Sequence, residues 1–472
     1  MKVGLFLGNM SPTEGGAYTL VVNQLTALSR LYESCGHTIV LFYRKQGEAL
    51  AAQFGKFPSV NLDAQRFGVN TQQEVDEIVR RQEEQHAAEL EQRAAEFAQR
   101  TKAFEAFLVE KRLFEQRLAR IKRFSDFAMR VYAALYRPVS PEGEMGPVPS
   151  ARVEEKTQIL EADPSSWICD IYQREEIQFV LYLAPWFEDV VVDVPFGIVV
   201  WDLQHRGSPW FPEVSTGAEW NRREQSYARI LRRATVIYTG TRCGAEEIAA
   251  YYQVPLQRIK VLPFVAPTDV LEEARSALKA TPSKLDTPTE YLFYPAQFWA
   301  HKNHVLVLEA CKIVREKSGW NLGVVFTGSD KGNQNYVRDY ARRLGLDRDV
   351  RFLGFVDRID ILDLYRRAFC LVFPTFFGPD NLPPLEAFAI GCPVVASDIP
   401  GAREQLGEGA ILVPPTDAQA FADAILSLRD GEVRTKAVDA GLAVTGSASW
   451  DDYVQRMIDS LDEFAAIRRS WP

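Results

Sequence analysis

A loop with the residue types of a phosphate site follows an apolar run that ends at Pro374, and it leads into a helix predicted to begin near Pro383 or Pro384. Proline is favoured in the first turn of a helix, and free N–H groups at a helix start attract a diphosphate. We place Glu386 in that first turn, where its carboxylate can accept hydrogen bonds from a ribose diol. The alternative is that Glu386 only complements the helix dipole.

A second loop of this kind follows the apolar run 291–294 and carries Gln297 and Lys302 ahead of another helical pattern. A lysine at a helix start can neutralise a bound phosphate or can simply be solvated. Beside the first loop, the phosphate interpretation is favoured.

Near the amino terminus, Gly15 and Gly16 follow a short apolar run and precede a helical pattern. Such a turn lets the backbone approach a phosphate closely, but an ordinary tight turn accounts for it equally well. The pattern lacks the G-x-G-x-x-G spacing that is typical of dinucleotide folds.

Asp202 and His205 stand just after another strand-like run, 197–202. A loop at a strand end can direct such side chains into a cleft, where they would contact a sugar or an acceptor. The alternative is a hydrogen-bond network within the loop itself.

The segment Gly-Pro-Asp-Asn-Leu-Pro-Pro-Leu-Glu at 378–386 resembles the donor-binding signature of family 4 glycosyltransferases. That family carries Glu-x7-Glu here, and Glu386 matches the second Glu, which binds the ribose. Gly378 replaces the first Glu, which contacts the donor sugar, and Asp380 is near enough in sequence to substitute for it. The resemblance also assigns Asn381 and Leu382 to the donor.

Other segments resemble the same family. It usually carries Arg-x4-Lys facing the diphosphate, where this chain has Gln297 and Lys302, and it often has His-Asp where this chain has Trp201 and Asp202. Two resemblances are weaker. Gly15 and Gly16 correspond to the family's Gly-rich loop, which approaches the leaving phosphate, and Gly328 and Val356 correspond to its loops near the nucleotide base.

Strand-like and helical runs alternate along the chain, which predicts an α/β fold with parallel sheets. The resemblance implies a GT-B fold, two Rossmann-like domains that face a cleft. We expect an acceptor-side domain over 1–280, a nucleotide-sugar domain over 281–447, and a helix over 448–472 that packs back on the first domain.

A helical insertion is predicted in the first domain over 69–137, which contains no Gly or Pro. Between 101 and 130 it has eight basic and four acidic side chains beside a stripe of Phe, Leu and Ile. Such a helix can lie on an anionic membrane or bury its apolar face in packing or self-association. Both alternatives are open for residues 72–131.

The composition excludes several functional classes. A net charge of −9 argues against a broad nucleic-acid surface, and the five histidines show no metal-ligand spacing such as HExxH. No apolar run is long enough to cross a bilayer. We therefore expect a cytoplasmic protein without a metal or other cofactor, either free or at the inner face of the membrane.

The resemblance implies an enzyme that moves a hexose from a nucleoside diphosphate sugar to a saccharide or lipid-linked acceptor hydroxyl, with retention, in surface polysaccharide or glycoconjugate synthesis. Asp202, His205, Lys302 and Glu386 are the candidate catalytic residues. The alternatives are a sugar-nucleotide epimerase of the same fold and a non-catalytic nucleotide-sugar-binding subunit. The sequence leaves the base, sugar, acceptor, linkage and oligomeric state open.

Overall fold

The computed structural model contains one compact unit formed by residues 1–66 and 163–472 and a second unit formed by residues 67–162. The predicted helical insertion, including the segment 72–131, falls almost entirely outside the described residues. The structure describes residues 1–12, 15–69, 164–185, 190–191, 193–267, 285–378, 380–446 and 448–471, together with parts of 73–88 and residues 270 and 272.

A seven-stranded parallel sheet lies in the first part of the chain, with strand order β3-β2-β1-β4-β5-β6-β7. Its strands are apolar because helices cover both faces. In the first strand, for example, Val3, Leu5 and Leu7 enter one core cluster and Phe6 enters the other. The strands are β1 (Lys2–Gly8), β2 (Thr38–Tyr43), β3 (Ser59–Asn61), β4 (Phe179–Tyr182), β5 (Phe196–Val199), β6 (Val236–Thr239) and β7 (Ile259–Val261).

Helices connect these strands. They are α1 (Gly16–Leu31), α2 (Glu48–Gln53), α3 (Leu62–Phe67), α4 (Pro164–Arg174), α5 (Gln204–Gly207), α6 (Pro212–Ser215), α7 (Glu219–Ile230) and α8 (Arg242–Tyr252). We call this sheet and its helices the first domain.

A six-stranded parallel sheet, with order β10-β9-β8-β11-β12-β13, forms the centre of the second domain. Its strands are β8 (Tyr291–Pro295), β9 (Gly323–Thr327), β10 (Val350–Phe352), β11 (Cys370–Phe373), β12 (Val394–Ser397) and β13 (Ala410–Val413). Its helices are α9 (His304–Ser318), α10 (Gln334–Arg343), α11 (Arg358–Arg367), α12 (Leu382–Ile390), α13 (Ala402–Leu406), α14 (Ala418–Ser427) and α15 (Gly431–Thr445).

In both parallel sheets, the direction in which successive strands are added reverses at one point. This point lies between β1 and β4 in the first sheet and between β8 and β11 in the second. In such sheets ligands bind outside the carboxyl ends of the strands at this turning point. The predicted α/β fold with two Rossmann-like sheets is confirmed. Because β8 and β11 are neighbours in the second sheet, the two loops that the sequence analysis selected after these strands lie side by side.

The last helix, α16 (Trp450–Arg468), contacts the first domain, although it follows the second in sequence. Gln24 of α1 donates to the hydroxyl of Tyr453 at 3.3 Å, and Lys260 of β7 pairs with Glu463 at 2.9 Å. The chain therefore crosses back from the second domain to the first. The exact domain boundaries stay a prediction.

No helix within the described part of the chain is long and apolar enough to span a bilayer.

Candidate functional site

A cavity of about 740 Å³ lies between the two domains. Its walls come from the loops at the carboxyl ends of the strands in both sheets, as the strand orders predict. The first domain contributes Gly16, Asp202 and Arg223, and the second contributes Lys302 and Asn381.

Lys302 ends a short 3₁₀ turn after β8 and borders this cavity. Its ammonium donates to the side-chain oxygen of Asn381 at 3.3 Å and lies 5.3 Å from the centre of the Phe373 ring. Burial lowers the pKa of Lys302 to about 8, although the carboxylates of Asp202 and Glu213 act in the opposite direction. A bound anion would stabilise the charged form, so the position suits a phosphate.

Helix α12 begins at Leu382, one or two residues earlier than predicted, and its start offers fewer donors than expected. Residues 383–384 are prolines without N–H groups, and the N–H of Asn381 already donates to Gln405 at 3.1 Å. The amide of Asn381 also donates to the carbonyl of Gly378 at 2.6 Å. A phosphate at this edge would therefore be held more by Lys302 than by the helix start.

Glu386 is the fifth residue of α12, so its predicted place in the first turn is wrong. Glu386 is not among the residues that line the cavity and is only 8% exposed. Its two oxygens accept from Arg358 at 2.8 Å and from the Tyr365 hydroxyl at 2.9 Å. A carboxylate has about four acceptor sites, so capacity for a ribose diol is left.

Asp380 borders the cavity, but both of its carboxyl oxygens are buried. They lie against Gly240 at the end of β6, where a Cβ atom would overlap them. Burial raises the pKa of Asp380 to about 8, and the nearby carboxylate of Glu404 adds to this shift. The structure therefore does not present this carboxylate to a ligand in the cavity.

Asp202 lies in the first-domain wall of the cavity. It accepts from Arg223 at 2.7 Å and from the backbone N–H of Gln204 at 2.9 Å. Burial raises the pKa of Asp202, but the guanidinium of Arg223 outweighs it and leaves the pKa below its usual value. The structure therefore places Asp202 at the cavity, as predicted, and the lowered pKa keeps its carboxylate ionised.

His205 is not brought to the cavity. It lies in α5, beneath the first-domain wall of the cavity, and its side chain is fully buried. Its Nε2 atom lies 3.2 Å from Glu224 and 3.1 Å from the hydroxyl of Tyr252. Burial lowers its pKa. His205 therefore takes part in a hydrogen-bond network, which was the alternative interpretation, but its partners lie in α7 and α8 and not in its own loop.

The Gly-rich turn reaches the second domain. Gly16 begins α1 and lines the cavity, and a Cβ atom there would lie 3.8 Å from Leu382. Gly15 just before it has a φ of 62°, which glycine tolerates without strain. The turn therefore brings the start of α1 beside the start of α12.

Three other residues that were predicted to bind the nucleotide sugar lie at the same sheet edge but outside the cavity lining. The side-chain oxygen of Gln297 accepts from the indole of Trp299 at 3.0 Å. Gly328 donates to the carbonyl of Gly354 at 2.7 Å, and a side chain there would overlap the backbone of Ala296. Val356 is partly buried against the second-domain core.

The structure also brings in residues that the sequence analysis missed, above all Glu213 and His301. The backbone N–H of His301 donates to Glu213 at 2.8 Å, and its ring Nδ1 contacts the same oxygen. His301 stacks on Phe377 with ring centres 3.9 Å apart. A glutamate after a proline at a helix start is common, so the sequence held no signal for it.

Among the residues that the structure describes, no group of three His, Cys, Asp or Glu side chains is arranged to hold a metal ion.

Comparison with known proteins identifies the second domain. Residues 278–442 match the family described as Glycosyl transferases group 1. O-antigen chain mannosyltransferase B of Escherichia coli is 25% identical over 239 residues, 50% of this chain and 63% of that protein. Glycogen synthase of Mycobacterium tuberculosis is 30% identical over 145 residues, 30% and 34% of the two chains. The chain thus spans less than two thirds of each of these relatives.

Solved structures extend the likeness to the first domain. Sucrose-phosphate synthase from Thermosynechococcus elongatus has a TM-score of 0.60 at 15% identity, covering 99% of this chain and 100% of that one. Anabaena HepE in complex with UDP-glucose has a TM-score of 0.56 at 13% identity, covering 98% and 100%. At these identities the likeness concerns the fold alone, and the predicted GT-B fold is confirmed.

Proposed function

We propose that the chain, whose residues 278–442 match the family described as Glycosyl transferases group 1, is a member of that family and transfers a hexose from a nucleoside diphosphate sugar to an acceptor hydroxyl. The observation that carries this proposal is the interdomain cavity in which Lys302 faces Asp202 and Arg223. A cation at the turning point of the second sheet suits a diphosphate, and the opposite wall is free to hold a sugar and an acceptor.

Lys302 would bind the diphosphate and stabilise the charge that develops as the sugar leaves. Binding of the anion would hold the lysine in its ammonium form despite the burial that lowers its pKa. Glu386 would accept hydrogen bonds from the ribose, with Arg358 and Tyr365 fixing its carboxylate. The base would lie near the loops of Gly328 and Val356.

The transferred hexose would occupy the cavity itself. Its lining contains both aromatic and polar side chains, which is typical of pockets that orient small ligands. The aromatic members are Trp201, Phe264, Trp299 and Phe377. We propose that transfer retains the anomeric configuration and needs no metal ion. The ammonium of Lys302 would supply the positive charge that a metal ion provides in other enzymes.

The acceptor is proposed from the relatives. Two of them are O-antigen chain mannosyltransferases, from Escherichia coli and Salmonella typhimurium. We propose a saccharide or lipid-linked acceptor in surface polysaccharide synthesis, with the enzyme acting at the inner face of the membrane. The segment 72–131 would then contribute either the membrane contact or self-association.

The test is incubation of the protein with a panel of nucleoside diphosphate hexoses, including UDP-glucose, and candidate acceptors, with and without EDTA. Release of the nucleoside diphosphate together with a glycosylated acceptor is expected, and EDTA should not change the rate. Release of nucleotide with an altered free sugar would indicate an epimerase. Binding without turnover would indicate a non-catalytic subunit, and either result would overturn the proposal.

A further inference from the structure

Position 378 cannot supply a carboxylate to the cavity in this backbone. Gly378 lines the cavity with a φ of 106°, a region that side-chain-bearing residues rarely adopt. A Cβ atom there would also lie 3.3 Å from the Asn381 side chain. The other acidic residue of the loop, Asp380, has both carboxyl oxygens buried against Gly240. The second-domain loop therefore leaves the cavity without a carboxylate of its own.

The first domain places a carboxylate beside this loop. Glu213 of α6 lines the same cavity, with its side chain only 6% exposed. One oxygen accepts from the backbone N–H of His301 at 2.8 Å and contacts the His301 ring. The other oxygen is buried and accepts no hydrogen bond from any residue that the structure describes. A buried, ionised carboxylate oxygen without a donor is costly, which indicates a ligand donor. The Asp380 oxygens also lack a donor, but burial raises the pKa of Asp380 to about 8, so this carboxyl group is largely protonated near pH 7 and does not carry the same cost.

Contacts between the two domains fix where this carboxylate lies. His301 precedes Lys302, and its ring stacks on Phe377, the neighbour of Gly378. Phe211, just before α6, also packs on Phe377 at 5.4 Å between ring centres. Glu213 is thus held against the residues next to both donor loops.

The protonation states leave the free oxygen as an acceptor. Burial raises the pKa of Glu213, but the hydrogen bonds from His301 and from the backbone N–H of Glu213 itself together outweigh it and leave the pKa below its usual value. Burial lowers the pKa of His301 to about 4, so its ring is neutral at pH 7. A neutral ring whose Nδ1 lies against a carboxylate carries its proton there. Glu213 is therefore ionised and not neutralised by an adjacent cationic imidazole.

We infer that Glu213, supplied by the first domain, accepts hydrogen bonds from hydroxyl groups of the transferred sugar in place of a carboxylate at position 378. This inference rests on the proposed function. It predicts that Glu213 recognises the sugar and not the nucleotide, because Lys302 and Glu386 lie in the second domain. Opening of the two domains would remove the contact, so sugar recognition would require the closed arrangement.

The test compares Glu213→Gln with the wild type by calorimetry. The glutamine keeps an oxygen for His301 but removes the charge. The probes are UDP and UDP-glucose, or the nucleoside diphosphate and its hexose that the wild type binds best. Since a charged acceptor is lost, we expect affinity for the nucleotide sugar to fall about tenfold or more and affinity for the free nucleotide to change less than about twofold.

The matched control is Glu463→Gln in α16, because both oxygens of Glu463 already accept from Lys260 at 3.3 and 2.9 Å and the residue lies outside the cavity lining. It should leave both affinities unchanged. Glu213→Asp, which keeps the charge but withdraws it by one methylene, replaces Glu213→Gln if that variant does not fold, and it should show the same selective loss.

Equal losses for nucleotide and nucleotide sugar would overturn the inference and leave Glu213 as a support for the His301 loop. Unchanged affinity for the nucleotide sugar would also overturn it. Failure of the wild type to bind any member of the panel would instead contradict the proposed function, and the inference with it.

Discussion

The two walls of the cavity carry their charges in different ways. In the second-domain wall, Lys302 makes one hydrogen bond, to the neutral side chain of Asn381 at 3.3 Å. In the first-domain wall, Asp202 is matched by Arg223 at 2.7 Å. Glu213, from the first domain, is bonded at one oxygen only. The second-domain wall therefore offers a positive charge to a ligand, and the first-domain wall offers oriented acceptors, among them the ionised carboxylate of Glu213.

This difference suggests a division of work within the proposed reaction. A diphosphate needs a cation whose charge is not already compensated, because an existing ion pair would have to be broken first. Sugar hydroxyls need fixed acceptors and donors rather than net charge. The second domain would thus bind the nucleotide, and the first would orient the sugar and the acceptor. The predictions below separate these two contributions.

The largest effect is expected from Lys302→Ala. Loss of the cation that faces the leaving diphosphate should lower turnover about 100-fold or more, since charge stabilisation in a partly buried site is strong. Steady-state transfer with the best donor measures it. Lys312→Ala is the control. Lys312 pairs with Glu316 on helix α9, so its substitution should not change turnover. A loss of only about twofold would show that the diphosphate is held elsewhere.

A smaller effect, on nucleotide affinity, is expected from Glu386→Gln. The amide keeps contacts to Arg358 and Tyr365 but weakens the hydrogen bonds to the ribose, so affinity for the free nucleotide should fall about tenfold. Calorimetry measures it. Glu309→Gln changes another tyrosine-bonded glutamate of this domain and is the matched control. Unchanged affinity would remove Glu386 from the site.

His205→Gln should affect stability more than transfer. Because His205 lies beneath the first-domain wall, we expect transfer to stay within about threefold of the wild type. Burial lowers the pKa of His205 below its ordinary value of 6.5, so the unfolded chain binds its proton more readily than the folded one. Wild-type stability therefore falls as pH drops below 6.5, and the variant should lose less.

Chemical denaturation of both proteins at pH 7 and pH 5 measures that difference. The glutamine can still donate to Glu224, which keeps the local hydrogen bond. A large loss of transfer at unchanged stability would return His205 to the list of catalytic residues and contradict its buried position.

The smallest effect on transfer is expected from Asp380→Asn, which should leave activity within about twofold, since its carboxyl oxygens do not reach the cavity. Its pKa is raised from 3.8 to about 8, so the folded protein binds the proton more tightly than the unfolded chain. Wild-type stability should therefore decrease as pH rises through this interval, whereas the variant should not show this decrease.

Denaturation at pH 5 and pH 8 tests this, with Asp398→Asn as the control, because Asp398 is half-exposed and pairs with Arg403. Loss of sugar binding in Asp380→Asn without a change in the pH dependence of stability would favour Asp380 over Glu213 as the sugar ligand.

The sequence predicted the parallel α/β fold and part of the second-domain wall, namely Lys302 and Asn381. Strand-like runs alternate with helices at regular spacing, and this periodicity predicts parallel sheets. Lys302 was predicted from its place after a strand-like run together with the resemblance to family 4 glycosyltransferases, and Asn381 from that resemblance. The two residues lie seven and eight positions beyond the ends of β8 and β11.

The tertiary structure alone decided the first-domain wall. Asp202 and His205 are three residues apart and were predicted together, yet only Asp202 reaches the cavity, because the turn of α5 directs His205 into the core. Glu213 lies 88 residues from His301 in the chain, and no local pattern reveals that the two domains bring them into hydrogen-bond contact. Sequence periodicity determines which elements form, whereas contacts between distant elements determine which side chains meet a ligand.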